Sequence, residues 1–278
     1  MIQPVLQDDD FLADVRAADV DDGHFRLWWL GQSGFLVQWG GHHLLLDPYL
    51  SDSLTRKYAA TDKPHVRMTA RVVDPSRLDF IDVVTSSHNH TDHLDAETLR
   101  PLLHVDPELK IIIPEANRAF VAERLAIDPQ LLLGLRDGES VESGEFKVSA
   151  VPASHEELGP GYLGYVVQFG PWAVYHSGDT LLYDGMADRL GQFPIDVALL
   201  PINGRAPERR VAGNLNAREA AELAKAIGAR VVIPCHYEMF TFNTANPREF
   251  VEAAERAGQF HHVLRCGERW DSRSLPPG

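Results

Sequence analysis

The chain has 278 residues and is 44% hydrophobic, which is enough for one large buried core and excludes general disorder. Its 40 acidic residues outnumber 26 basic ones and give a formal charge of -14, which argues against nucleic acid and anionic membranes as partners. The two cysteines, Cys235 and Cys266, are too few for a disulfide framework. Because the start of the chain has no signal-like segment and no apolar run approaches the ~20 residues of a membrane span, we expect a cytoplasmic protein.

The hydrophobic pattern predicts a single α/β domain over residues 1–278, with strands inside and helices outside. The first strands lie in FRLWWLGQSGFLVQW and HHLLLD, and the pair Gly40-Gly41 between them is typical of a hairpin turn. Residues 48–79 contain three prolines and several cations, so we expect a long loop that could close over a binding site as a lid.

Strands and helices follow one another after residue 79. The predicted strands are FIDVVTSS, KIIIP, GEFKVSAVPASH, YLGYVVQFG, WAVYHSGDT, IDVALLPI and ARVVIPCH. The predicted helices are DAETLRPLL, ANRAFVAERLAI, NAREAAELAKAIG and NPREFVEAAERAG.

Four of these strands end in histidine or aspartate, at the position where α/β proteins build their sites. FIDVVTSS runs directly into the cluster HNHTDHLD. His88 and His90 are separated by one residue, so in an extended chain they point the same way and can hold one metal ion. His155, which ends a later strand, would complete this first set.

A second set of ligands follows as the chain turns toward the next helix. Asp92 and His93 would point to the other side of the site, and His236 would complete a second ion's ligands. Asp179, a carboxylate with two oxygens, is the natural bridge between the two ions. Imidazole and carboxylate ligands without a thiolate suit zinc, manganese or iron and do not choose among them.

Simpler interpretations explain only part of this pattern. A polar turn in which Asp95 caps a helix leaves the three histidines of the cluster unexplained. His176 and Cys235 lie within strands, so we interpret them as a packed histidine and a buried thiol rather than as ligands.

The pattern His88-x-His90-x-Asp92-His93 with its later ligands resembles the metallo-β-lactamase superfamily. The resemblance extends from about residue 26 to residue 240, in the order and strand-end placement of the ligands. It implies a four-layer αββα sandwich with two divalent ions at one edge.

Further stretches are similar to the ascorbate-6-phosphate lactonase branch of that superfamily. They are WLGQSGFLVQWGGHHLLLDPYL, SGDT, LLPINGR, GNLNAREAAELA and VVIPCHYEMF. The resemblance implies hydrolysis of a phosphorylated, sugar-derived lactone and an association with manganese. This chain is shorter than those lactonases, so the resemblance supports the metal site more strongly than the substrate.

We therefore expect a metal-dependent hydrolase that uses a metal-bridged hydroxide on a lactone or a phosphorylated sugar derivative. Asp92 is the expected catalytic residue, and Asp47 would hold the second nitrogen of a ligand histidine. The substrate, possibly anionic, would contact residues of the loop after IDVALLPI. These are Asn203, Arg205 and Asn214.

Other functions remain open at this point. A small-molecule phosphodiesterase would use the same two ions. An oxidoreductase would need iron. A non-catalytic protein would bind metal through the same residues but would catalyse no reaction. A homo-oligomer is compatible with the sequence, whereas a nuclease is disfavoured by the acidic charge.

Overall fold

The computed structural model describes residues 1–18 and 23–276, and its strands form two mixed sheets. The strands are β1 (Arg26–Gly31), β2 (Gly34–Trp39), β3 (His42–Leu46), β4 (Val83–Thr85), β5 (Lys110–Pro114), β6 (Leu132–Leu135), β7 (Ser140–Ser143), β8 (Phe146–Ser154), β9 (Leu158–Phe169), β10 (Trp172–His176), β11 (Val197–Pro201), β12 (Val231–Cys235) and β13 (Arg269–Asp271).

The helices lie between these strands in the sequence. They are α1 (Asp8–Ala17), α2 (Ser53–Tyr58), α3 (Ala96–Val105), α4 (Arg118–Leu125), α5 (Met186–Leu190), α6 (Ala217–Ala226) and α7 (Pro247–Ala257). On the second sheet, α6 contacts β11, β12 and α7, whereas α4 contacts β6 and α3 at the first sheet. Helices therefore flank both sheets, as the sequence predicted.

Each sheet combines parallel and antiparallel strands. The first sheet has the order β13-β1-β2-β3-β4-β5-β6 and becomes parallel from β3 onward. The second has the order β12-β11-β10-β9-β8-β7, and its parallel part is β10 to β12. The parallel strands are covered on both faces, which explains why they are continuous apolar runs such as VALLP and VVIPC.

The hydrophobic core fills the space between the sheets. One contiguous cluster of buried residues includes side chains from strands of both sheets. Phe25, just before β1, packs edge to face against Phe169 of β9, with ring centroids 5.2 Å apart. Aromatic contacts of this kind join the two sheets across the core.

The segment at residues 48–79 is more ordered than the predicted loop. It contains α2 and a short 3₁₀ helix at Pro75–Arg77. Backbone bridges from Thr69 to Ile2 and from Arg67 to Phe240 tie it to the rest of the chain. Whether it closes over a ligand as a lid stays a prediction.

The strand ends explain how the fold positions a site. His88 follows β4, His155 follows β8, Asp179 follows β10 and His236 follows β12. Asp47 follows β3. The two sheets therefore deliver these side chains to one common edge. No helix in the described part of the chain is both long and apolar enough to cross a membrane.

Candidate metal centre

The residues after β4 and β8 form a first group of possible ligands. One ring nitrogen each of His88, His90 and His155 lies within 4.8 Å of the others. His90 Nδ1 and His155 Nε2 are 3.3 Å apart. His88 and His155 are buried, whereas His90 is partly exposed.

A second group adjoins the first. It contains Asp92, His93, Asp179 and His236, again with ligand atoms within 4.8 Å of one another. The Asp179 carboxylate lies 3.3 Å from His93 Nε2 and 3.3 Å from His236 Nε2. It also lies 3.8 Å from His155 Nε2 of the first group. Asp179 is thus the carboxylate between the two groups.

The atoms that face each other in this site fit a metal centre. His88 Nε2, His93 Nε2 and Asp179 Oδ1 are buried without a hydrogen-bond partner in the described structure. An unsatisfied buried polar atom costs roughly 1–3 kcal/mol, so three of them in one place need an explanation. Imidazole nitrogens and carboxylate oxygens that converge in this way are the donors that zinc, manganese and iron accept.

Hydrogen bonds behind the two groups fix the histidine rings. The fully buried carboxylate of Asp47 accepts from His93 Nδ1 at 2.7 Å and from the backbone N–H of Ser87 at 2.9 Å. The Ser87 hydroxyl donates to the same carboxylate and lies 3.0 Å from His88 Nδ1. Asp47 therefore holds Nδ1 of the candidate ligand His93 and leaves the Nε2 atom of that ring without this contact.

The two remaining histidines of the first group have partners of their own. His155 Nδ1 donates to the Gly213 carbonyl at 3.1 Å. His90 Nε2 is 3.2 Å from the Glu156 carboxylate, which also accepts a 2.8 Å hydrogen bond from the Tyr162 hydroxyl. The opposite nitrogens, Nε2 of His155 and Nδ1 of His90, are directed toward each other.

The electrostatic environment differs between the groups. Burial lowers the pKa of His155 and lowers that of His88 well below its usual value, so both rings are neutral at pH 7. Burial would also lower the pKa of His93, but the carboxylates of Asp179 and Asp92 outweigh it and raise that pKa well above 6.5. Without a metal, the second group therefore holds a proton on His93.

The pKa values of the two carboxylates in the second group are lowered rather than raised. Burial would raise the pKa of Asp179, but His236 and His93 hold it well below its usual value. Burial likewise opposes ionisation of Asp92, and His93 is the main group that lowers its pKa. Both carboxylates are ionised at neutral pH and can act as ligands or accept a proton.

The two groups open into a cavity of about 510 Å³. Its walls include Asp92, Asp179, His155 and His236. The cations that line it are Lys57, Lys63, Arg124 and Arg210, and its other lining residues include Tyr58, His65, Phe120, Glu156 and Asn243. Its volume is in the range of sites for small molecules, roughly 300–1,000 Å³.

The predicted substrate residues Asn203, Arg205 and Asn214 do not line this cavity. The Arg205 guanidinium makes two hydrogen bonds of 2.7 and 2.8 Å to Glu219, which is fixed at the start of α6 by a capping box. Asn214 Nδ2 donates to Asn203 Oδ1 at 3.0 Å, and both amides are buried. These three residues hold the loop together in this structure, and their contact with a substrate stays a prediction.

The sequence analysis also missed several lining residues. Lys63 and His65 come from the predicted loop at residues 48–79, and Arg124 comes from α4. Arg124 donates to the carbonyls of Asn89 and Leu94, so it also braces the ligand loop. No spacing in the sequence distinguishes these cations from ordinary surface residues.

Comparison with known proteins agrees with this geometry. A family model described as the beta-lactamase superfamily domain matches residues 26–236. The chain belongs to this superfamily. A UPF0173 metal-dependent hydrolase from Opitutus terrae is 32% identical over 254 residues, which cover 87% of this chain and 98% of that protein. The chain therefore also belongs to the UPF0173 metal-dependent hydrolases of the beta-lactamase superfamily.

Solved structures share the fold. The metallo-beta-lactamase fold protein YhfI from Bacillus subtilis has a TM-score of 0.67 at 18% identity, covering 89% of this chain and 99% of that one. A metallo hydrolase from Ignicoccus hospitalis has a TM-score of 0.66 at 24% identity, covering 89% and 98%. These likenesses confirm the predicted α/β sandwich of this superfamily member.

We expect Asp47→Ala to destabilise the metal-free hydrolase by about 3–5 kcal/mol, because it removes the buried carboxylate that pairs with His93 Nδ1. Urea unfolding measures this loss. Asp82→Ala is the control, since the half-exposed Asp82 carboxylate accepts a hydrogen bond from the His43 backbone N–H at 2.7 Å and its loss should cost about 1 kcal/mol. Equal losses in the two variants would contradict the role given to Asp47.

A divalent ion at the second group should displace the proton of His93, because the ion needs the Nε2 lone pair. The affinity for that ion should rise with pH up to the raised pKa of His93 and level off above it. Calorimetry of Zn²⁺ binding at pH 7 in buffers of different ionisation enthalpy should detect about one released proton for the second ion. The first group should release fewer protons than the second, because the rings of His88 and His155 are already neutral. Zero release for both ions would contradict the assignment.

Proposed function

We propose that this superfamily member is a hydrolase that uses two divalent ions to cleave an ester-type bond in a small anionic molecule. The observation that carries the proposal is the arrangement of two ligand groups around Asp179, both open to one cavity. The UPF0173 metal-dependent hydrolase of Opitutus terrae supports the reaction class.

Each ligand group would hold one ion. The first ion would be held by His88, His90 and His155, the second by Asp92, His93 and His236, with Asp179 between them. Such a pair of ions lowers the pKa of bound water and stabilises negative charge on the reacting oxygens. Asp47 and Glu156 keep the rings of His93 and His90 in place.

Asp92 is the residue that we assign to proton transfer. It lines the cavity and its side chain is 16% exposed, whereas Asp179 is only 5% exposed. His93 lowers its pKa, so the carboxylate is ionised at neutral pH and able to accept a proton from an attacking water. A role for Asp92 as ligand and proton acceptor is compatible with this position.

The cations of the cavity support an anionic substrate. The Arg210 guanidinium is paired with Asp62, and Arg124 is engaged with backbone carbonyls. Within the described residues, Lys57 makes no ion pair, and its ammonium lies 3.4 Å from the Thr91 hydroxyl. Lys57 therefore has charge available for a phosphate or carboxylate at the mouth of the site.

These features favour a lactone or phosphorylated sugar derivative, in line with the resemblance to the ascorbate-6-phosphate lactonase branch. The same cations also favour a second candidate, a small-molecule phosphodiesterase, because they match phosphate oxygens. Both reactions would use the same ions and the same cavity. We place the hydrolase in the cytoplasm, with manganese or zinc as the metal and iron as the alternative.

The first test is metal content together with hydrolysis. We expect about two equivalents of manganese or zinc in protein purified without chelators, and hydrolysis of lactone or phosphoester substrates. His90→Ala should lose part of the metal and the hydrolysis, because one ligand of the first group is gone. His104→Ala, at an exposed histidine of α3, is the matched control and should retain both.

The outcomes separate the alternatives. Cleavage of lactones alone supports a lactonase, and cleavage of phosphodiesters alone supports a phosphodiesterase. Iron in place of manganese or zinc, together with oxygen consumption, would indicate an oxidoreductase instead of a hydrolase. Protein that binds no metal even after reconstitution would refute the proposed function.

Lys57→Gln should raise the KM for a phosphorylated substrate by roughly tenfold, because one charge-assisted contact is lost. The KM for an uncharged lactone should not change. Steady-state kinetics on both substrates measures the difference. Arg56→Gln is the neighbouring control, since Arg56 pairs with Glu97 and does not line the cavity. An equal effect of Lys57→Gln on both substrates would show that Lys57 does not recognise the anion.

A further inference from the structure

Gln32 is a buried glutamine in the tight turn between β1 and β2, and its side chain reaches the second ligand group. Its amide Nε2 lies 2.8 Å from Asp92 Oδ2 and 2.9 Å from His236 Nε2. These two atoms belong to the second group of possible metal ligands. A side-chain N–H donor therefore lies among the possible ligand atoms of the second group.

Hydrogen bonds fix the backbone of this turn. The Gln32 carbonyl accepts hydrogen bonds from the Trp29 indole at 3.1 Å and from the backbone N–H of His236 at 2.9 Å. Its φ angle is +51°, which holds the turn in the left-handed region. Movement of the amide therefore requires rotation of side-chain torsions, without movement of the loop.

Among the described residues, no side-chain amide contacts the facing atoms of the first group. His88 Nε2 has no hydrogen-bond partner, and the facing nitrogens of His90 and His155 contact each other. The two groups thus differ in a further respect, beside the proton on His93. The Gln32 amide donates to Asp92 Oδ2 of the second group, and the same nitrogen lies 2.9 Å from His236 Nε2.

An amide N–H and a metal ion cannot use the same lone pair. Nitrogen and oxygen ligands lie roughly 2.0–2.2 Å from a bound zinc ion, and the N–H groups of Gln32 would point their positive ends at such an ion. We propose that Gln32 is a gate on the second metal position, so that the second ion binds only after this side chain has rotated away. The proposal rests on the two-ion site of the proposed function.

The gate makes metal loading stepwise. The first ion would bind to His88, His90 and His155 without competition. The second would have to displace the amide from Asp92 and His236 and would bind more weakly. The fraction of protein with both ions, and with it the hydrolytic activity, would then follow the supply of metal.

The test is a Mn²⁺ titration of the metal-free protein, followed by electron paramagnetic resonance. Gln32→Asn keeps a carboxamide and suits the positive φ, but its side chain is one methylene shorter and cannot reach both ligand atoms. We expect the dissociation constant of the second Mn²⁺ to fall by roughly tenfold in this variant, with the first unchanged. The coupled two-ion signal should appear at lower Mn²⁺ concentration.

Two more variants make the result specific. Gln38→Asn is the matched control, because Gln38 is a buried glutamine of β2 that contacts Val15 and His43, away from both groups. It should titrate like the wild type. Gln32→Glu replaces the N–H donors by a carboxylate of the same shape and should bind the second Mn²⁺ more tightly than the wild type.

Each outcome decides the proposal. An unchanged second dissociation constant in Gln32→Asn refutes the gate and leaves the two-ion site intact. A weaker second site in that variant also refutes it, because Gln32 would then support the ion rather than compete with it. A wild-type protein that binds no Mn²⁺ overturns the gate and the proposed function together.

Discussion

The buried carboxylate of Asp47 is the constraint on which the site depends. A charge without exposure to water is stable only if it is paired and hydrogen-bonded. Its partners are the Ser87 amide and hydroxyl and the His93 ring, and Thr85 Oγ1 lies 3.3 Å from it. All three residues belong to β4 or the loop after it. The carboxylate at the end of β3 therefore fixes the path of the loop that carries the HNHTDH cluster.

The other ligands reach this loop because the parallel strands of two sheets end at one edge. β10, β11 and β12 run parallel, so the residues that follow β10 and β12 emerge side by side. Asp179 and His236 then approach His93 from the second sheet, while His93 stays anchored to the first. The result is a concentration of imidazoles and carboxylates whose free atoms face inward. His93 and His236 keep Asp92 and Asp179 ionised against the opposing effect of burial, and the ionised carboxylate is the state that a cation requires.

The sequence predicted residues that the structure brings together, because most of them come at or shortly after the end of an apolar strand. A buried strand such as VVIPC fixes where its next residue, His236, must emerge. Asp47 was predictable for the same reason. The weaker strands were harder to recognise. The edge strand β7, with the sequence SVES, has no buried face that would show a strand pattern, and it was not predicted.

Residues that depend on side-chain partners could not be derived from the sequence. Arg205 follows a core strand in the way that the ligand loops do, yet Glu219 lies 14 positions further along and captures its guanidinium. Gln32 precedes the ligand cluster by more than 50 residues, and only the folded sheets bring it to Asp92. Lys57 lies on α2, a helix within the predicted loop. For Arg205 and Gln32, contacts between residues far apart in the sequence decide where the side chain lies.

The small helix α2 rests on a hydrophobic cluster of its own. Tyr49, Leu54, Met239 and Phe240 form this second cluster, separate from the main core between the sheets. Met239 and Phe240 lie three and four positions after His236, so the wall that carries Lys57 packs on the loop that also carries a candidate ligand. A substitution in this small cluster would therefore reach the cavity wall and the candidate metal centre together.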